Sequence, residues 1–257
     1  ADLTVQADLE EFRDRLPWIW QSPRQVEPPK VQDPAWPTDE VDRFVLQKLE
    51  AEKLEPAGPA NDRVWMRRVY FAITGLPPKP EDIQAFLDDT SKNRKRTLVR
   101  ALLASPHYGE RWARHWMDLV RYAESRGHEG DEILPNAYRY RDYLVRAFNA
   151  DLPYDALVTE HLAGDLLENP RLHPETGTNE SILATGWPFF GELNHAPVDL
   201  RQDECDRLDN KVDVMSKTFL GLTVACARCH DHKFDAISQS DYYAMAGFIL
   251  SSSYRQA

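Results

Sequence analysis

Apolar side chains recur at intervals of three and four through most of the chain, the spacing that gives a helix one dry face. In TDEVDRFVLQKLEAEKL the repeat falls on Val41, Phe44, Val45 and Leu49, and Thr38 stands where an N-cap belongs. NDRVWMRRVYFAITGLPPKPEDIQAFLDD predicts two helices, the first closing at Gly75 and the second opening after Pro80. SKNRKRTLVRALLASPHYGERWARHWMDLVRYAES has the same periodicity and must break at Pro106, where the amide donor is missing. Helical spacing returns in NAYRYRDYLVRAFN, PYDALVTEHLAGDLL, DECDRLDNKVDVMSKTFLGLT and SQSDYYAMAGFILSS, while ENPRLHPETGTN reads as a surface loop.

Strand-like alternation is scarce and no segment repeats, so the expected architecture is mainly α, a single irregular helical domain over residues 38–257. Residues 1–37, with the proline-rich SPRQVEPPKVQDPAWP, are expected to form an extended N-terminal arm. A chain of 257 residues can bury an ordinary core. Its 42 acidic against 31 basic residues leave a formal charge of −11, the wrong field for a nucleic-acid partner. No apolar run approaches the roughly 20 residues of a membrane span, and the polar, acidic ADLTVQADLEEF is not a signal peptide. Such a chain is either cytosolic or one from which a leader has been removed.

Three cysteines are too few for a disulfide framework, yet two of them stand three residues apart in LGLTVACARCHDHKFDAI, residues 220–237. Cys226-Ala227-Arg228-Cys229-His230 has the C-x-x-C-H form that marks covalent attachment of a c-type haem. Sulfurs at i and i+3 project from one side of a helical turn and reach two vinyl groups of one porphyrin, and His230 is then the proximal iron ligand. Two other chemistries compete. Zinc would add a second tight ligand pair, for which only Cys205 and His232 are at hand; a thioredoxin-like dithiol would sit at a strand-to-helix junction, which the pattern lacks.

FLGLTVACARCHDHKFDAISQSDYY, LASPHYGERWARHWMDLVRYAES, NAYRYRDYLVRAFNADLPYDALVTEHLAGDLL and RRVYFAITGLPPKPEDIQAFL together resemble the successive motifs of the planctomycete-specific cytochrome c domain of the second type. The likeness runs from WIWQSPRQVEPP to the end of the chain, and Ala236 stands where that family commonly has proline. The resemblance implies a haem-bearing module of a larger secreted protein and brings no established reaction with it. Because thioether attachment takes place outside the cytoplasm, the expected location is periplasmic or secreted.

The iron's second face decides between electron transfer and small-molecule chemistry. His115 is one distal candidate, since Trp112, His115, Trp116, Leu119 and Tyr122 share a stripe with the spacing of a buried face; a hydrogen-bonded core histidine is the competing reading. Met245 is the other, against the role of core filler; Met215 and His195 rank lower. His232 is too close to His230 to reach the opposite face without a sharp loop, and is instead a candidate for contact with a propionate, a carboxylate or a substrate. It and His115 are also the catalytic candidates. Arg228 is expected either to balance a propionate or to stay exposed, and Tyr138, Arg139, Tyr140 and Arg141 form either a basic aromatic surface for sugars or a half-buried helix.

Three functions follow. The first is a monohaem module passing single electrons to a redox partner or an adjacent domain of a larger polypeptide. The second is a haem-dependent oxidoreductase, peroxidase-like or carbohydrate-directed, with an open distal site. The third is a non-catalytic module braced by haem or zinc.

Overall fold

The computed structural model describes residues 20–127, 130–191 and 194–252; the first half of the expected arm and its acidic N-terminus lie outside the described residues. The chain divides into two compact units, residues 1–61 and 62–257. The architecture is mainly helical, with no strand among the described residues and two isolated bridges, Ser125 with Ile133 and Leu172 with Asn179.

The first unit carries α1 (Glu40–Ala51). The cap is Asp39 rather than Thr38: the Asp39 carboxylate accepts the Asp42 amide at 3.0 Å, whereas Thr38 turns its own amide and hydroxyl onto Asp42 Oδ2. The expected stripe is also out of phase. Val41, Phe44 and Val45 are exposed and Leu46 is the buried residue, because α1 has apolar side chains on several sides and spacing alone does not choose among them. Upstream, the amides of Gln32 and Asp33 both donate to the Glu50 carboxylate, tying the proline-rich stretch to the last turn of α1.

In the second unit, α2 (Asp62–Ile73) is followed by Gly75 at φ +72°, the left-handed cap that the sequence predicts. α3 (Pro80–Asp88) opens on Pro80 itself, and α4 (Arg94–Leu103) and α5 (Pro106–Leu119) are split at Pro106, with Ser105 as the cap of α5. α6 (Ala137–Asn149) packs along α5, and α7 (Tyr154–Ala163) packs against the single turn α8 (Ser181–Ala184). α9 (Leu200–Met215) runs on into a π-turn at Ser216–Leu220 that Gly221 ends at φ +66°. A 3-10 turn, Val224–Arg228, leads to α10 (Gln239–Leu250), which opens with a capping box between Ser238 and Asp241.

The core lies where α5, α6 and α7 meet, around Trp116, Tyr140, Tyr143, Leu144, Leu157, Trp187 and Phe219. On α5 the buried residues are Gly109, Ala113, Trp116 and then Val120, so the expected buried stripe is corrected: Trp112 and Leu119 are exposed, and so is His115. The small residues decide the face. A Cβ at Gly109 would lie 2.4 Å from the Val145 carbonyl, so α5 and α6 approach at Gly109 and Ala113, and the bulkier residues turn outward. On α6, Tyr140 is 3 % exposed while Tyr138 is 43 % exposed, the half-buried alternative for that segment.

Candidate functional site: an outward-facing Cys-x-x-Cys-His loop

The motif sits on the 3-10 turn and the residues just after it, packed against α9 and α10. Val224 and Ala227 are buried, and the other side of the same turn presents Cys226 and Cys229, both exposed thiols. Five contacts pin the loop to α9 and α10, and a sixth, from Tyr242, joins those two helices. The Arg228 guanidinium spans Asp206 at 3.1 Å and Asp209 at 3.2 Å on α9. Its carbonyl accepts Gln239 Nε2 at 3.0 Å and the Tyr243 hydroxyl at 3.4 Å from α10. Asp231 accepts the Gln239 amide at 2.8 Å. Tyr242 donates to Asp209 at 2.7 Å. Hydrogen bonds from Gln202 and Arg228 hold Asp206 below the usual carboxylate range, while burial and the Asp209 carboxylate push the Tyr242 hydroxyl up. Arg228 is thus committed to two carboxylates, and its work in this arrangement is to hold the turn on α9.

His230 is exposed, and its Nδ1 lies 2.7 Å from the Asp231 carbonyl. A carbonyl can only accept, so Nδ1 carries a hydrogen, and in the neutral ring the lone pair is on Nε2. That is the tautomer a metal-binding histidine needs, its other nitrogen oriented by a backbone oxygen. Two outward sulfurs three residues apart beside an imidazole in this state fit a c-type haem.

His232 is used differently. Its side chain is only 7 % exposed. Nδ1 accepts the amides of Phe234 at 3.2 Å and Asp235 at 2.9 Å, and Nε2 lies 3.0 Å from the Thr223 hydroxyl. Its amide donates to the Ile237 carbonyl at 2.8 Å, so His232 clasps the loop that returns the chain to α10. No three His, Cys, Asp or Glu side chains converge on one point among the described residues, so Cys205, exposed on α9, and His232 do not complete a closed zinc site with the pair.

The remaining candidates are scattered. Met245 is half-buried on α10, and Met215 packs against the main core. His195 is exposed beside Gly130 at an open cavity of about 160 Å³ lined also by Arg126, Asp203 and Arg207. The His115 ring lies against Trp112, tilted, with centroids 5.3 Å apart, on the outer side of α5.

The periodicity gives no sign of a polar network in the core. His161 on α7 is 1 % exposed. Its Nδ1 lies 2.7 Å from the Leu157 carbonyl, which leaves Nε2 to accept from Tyr140 at 2.8 Å and Trp116 Nε1 at 3.1 Å. Next to it, Glu160 takes the Tyr143 hydroxyl at 2.6 Å, Ser181 at 2.8 Å and Arg171 at 3.0 Å. Glu180, fully buried, takes Arg171 at 2.7 Å and also Arg146. The signal for this network lies in single polar residues embedded in otherwise apolar helical runs, such as Glu160-His161 in LVTEHLA.

Burial pushes His161 down to about 4 from 6.5. For Glu160 burial acts upward, but the hydrogen bonds from Arg171, Tyr143 and Ser181 outweigh it and keep the carboxyl low. An unfolded chain takes up a proton on this histidine as pH falls from 6.5 to 4 and the folded chain does not. The associated stability is therefore complete above pH 6.5 and is lost on the way down to 4, about 3 kcal/mol for this one group. Glu160 adds a further loss below its unfolded value. Urea unfolding followed at a series of pH values is expected to show this slope, and His161→Gln to flatten it between pH 6.5 and 4. An unchanged slope in that variant refutes the assignment.

Fold and site together define a small class: a helical module whose outward-facing Cys-x-x-Cys-His loop is fastened between two helices. Residues 40–254 match PSCyt2, a protein family of unknown function (DUF1549) named for the second type of planctomycete cytochrome c domain, and the chain belongs to this family. No curated protein and no solved structure matches it.

Proposed function

We propose that this chain is a monohaem c-type cytochrome module. Cys226 and Cys229 carry the haem c through thioethers, His230 ligates its iron through Nε2, and the module passes single electrons to a redox partner or to a neighbouring domain of a larger polypeptide. The observation that carries the reading is the pairing of two exposed sulfurs with a histidine whose Nδ1 is already bound to the Asp231 carbonyl. The bound haem supplies a one-electron couple. The protein's part is to fix the turn through Arg228, Asp206 and Asp209, and to orient the His230 ring through Nδ1 so that Nε2 is the nitrogen turned to a metal. The chemistry of attachment places the module outside the cytoplasm, periplasmic or secreted; none of the described helices is long and apolar enough to cross a membrane. Of the two distal candidates read from the sequence, His115 stands on the outer side of α5, and Met245 is half-buried on α10 about 200° round that helix from Tyr243.

The test is the intact mass and visible spectrum of protein matured with haem-attachment machinery. The expected result is one porphyrin per chain and a sharp reduced α-band that carbon monoxide leaves unchanged. A carbon monoxide shift favours the haem-dependent oxidoreductase with an open distal site. A bare polypeptide mass overturns both and leaves a module without haem.

A further inference from the structure

α10 is apolar on nearly every side, the composition of a helix buried all round, yet among the described residues only one of its faces is covered. Tyr242 and Ala246 are buried toward α9 and the 3-10 turn, whereas Tyr243 is 58 % exposed and Leu250 69 %. At 3.6 residues per turn Gln239, Tyr243, Gly247 and Leu250 stand at i, i+4, i+8 and i+11, one stripe along the helix. Its first two members touch the carbonyl of Arg228, between the two cysteines. The stripe therefore begins at the attachment loop and runs away from it.

Gly247 is the telling residue. Glycine inside a helix is unfavourable relative to alanine and is retained where something must approach the backbone closely. Here nothing lies within 4 Å of the position a Cβ would take. Among the described residues, no neighbour accounts for the missing side chain.

We propose that the stripe Tyr243–Gly247–Leu250 is the seat of the porphyrin, with Gly247 admitting the flat ring system against the helix between Tyr243 and Leu250. The inference rests on the haem reading above and adds which of this chain's residues cover the macrocycle. The stripe starts at the Arg228 carbonyl, between the two residues that bear the sulfurs. Phe248, 52 % exposed on the other flank of the same helix, is left uncovered.

The experiment uses matured protein with Leu250→Lys, Leu250→Glu and Gly247→Phe, and with Phe248→Lys as the control on the opposite flank. All are exposed positions, so folding is not at stake. A charge against the porphyrin moves its reduction equilibrium several-fold, in opposite directions for Leu250→Lys and Leu250→Glu, and Gly247→Phe alters the circular dichroism of the Soret band. Phe248→Lys does neither, since charges further than about 8 Å away are screened at physiological salt. If the porphyrin mass is present and the stripe variants behave like the Phe248 control, the seat is wrong and the haem reading stands. If the wild-type mass lacks the porphyrin, both fall. A dimer in light scattering that Leu250→Lys dissolves, with the Soret band unchanged, assigns the stripe to a second copy and overturns the proposal.

Discussion

Glu180→Ala is expected to cost about 3–5 kcal/mol, the range seen when one partner of a buried ion pair is removed. With ordinary domain stabilities near 5–15 kcal/mol, this leaves the variant marginal or unfolded. Glu180 is fully buried and receives both Arg146 and Arg171. Removing its carboxylate leaves the buried ends of two partly exposed guanidiniums without their partner, and Glu160 can satisfy only Arg171. Glu180→Gln keeps the shape and one acceptor oxygen and is expected to fall between the two. The matched surface control is Asp118→Ala, whose pair with Arg114 is 69 and 67 % exposed and is worth at most about 1 kcal/mol. Urea midpoints at pH 7 measure all three. A Glu180→Ala midpoint no lower than that of Asp118→Ala would remove the cluster from any account of the fold.

The boundaries of the helices were written in local chemistry. Gly75, Pro106 and the Ser238–Asp241 box act within a few residues of themselves, so they can be read without knowing the neighbours. Which face of a helix turns inward is a different matter. On α5 it is settled by the fit of Gly109 against the Val145 carbonyl, a contact across two helices, and this rotates Trp112 and His115 outward. The same limit hides the Glu160, His161, Arg171 and Glu180 network, whose members come together only when α7, α8 and the loop between them close. The Cys-x-x-Cys-His loop was legible because its chemistry needs only five consecutive residues. The use of both His232 nitrogens to clasp its own loop was not, since it depends on where Thr223 and the amides of Phe234 and Asp235 fall.

His230→Ala in matured protein is expected to keep the full porphyrin mass and yet lose the spectrum of a ligated iron. Attachment and ligation rest on different atoms. Cys226 and Cys229 are exposed on the outer side of a turn whose inner side, Ala227, is buried, so the turn does not depend on the imidazole. Among the described residues the imidazole makes one hydrogen bond, to the adjacent Asp231 carbonyl, and deleting it leaves the Arg228, Gln239 and Asp231 side-chain ties in place. The spectrum is therefore expected to change completely while urea stability changes little, and millimolar imidazole added from solution should restore much of the band. Cys226→Ser with Cys229→Ser should instead abolish the covalent mass. His232→Ala, which frees the Thr223 hydroxyl and two amides, should lower stability without touching the mass or the rescue. If His230→Ala leaves the reduced spectrum as it was, another side chain holds the iron, and the bare Nε2 at the motif has some other use.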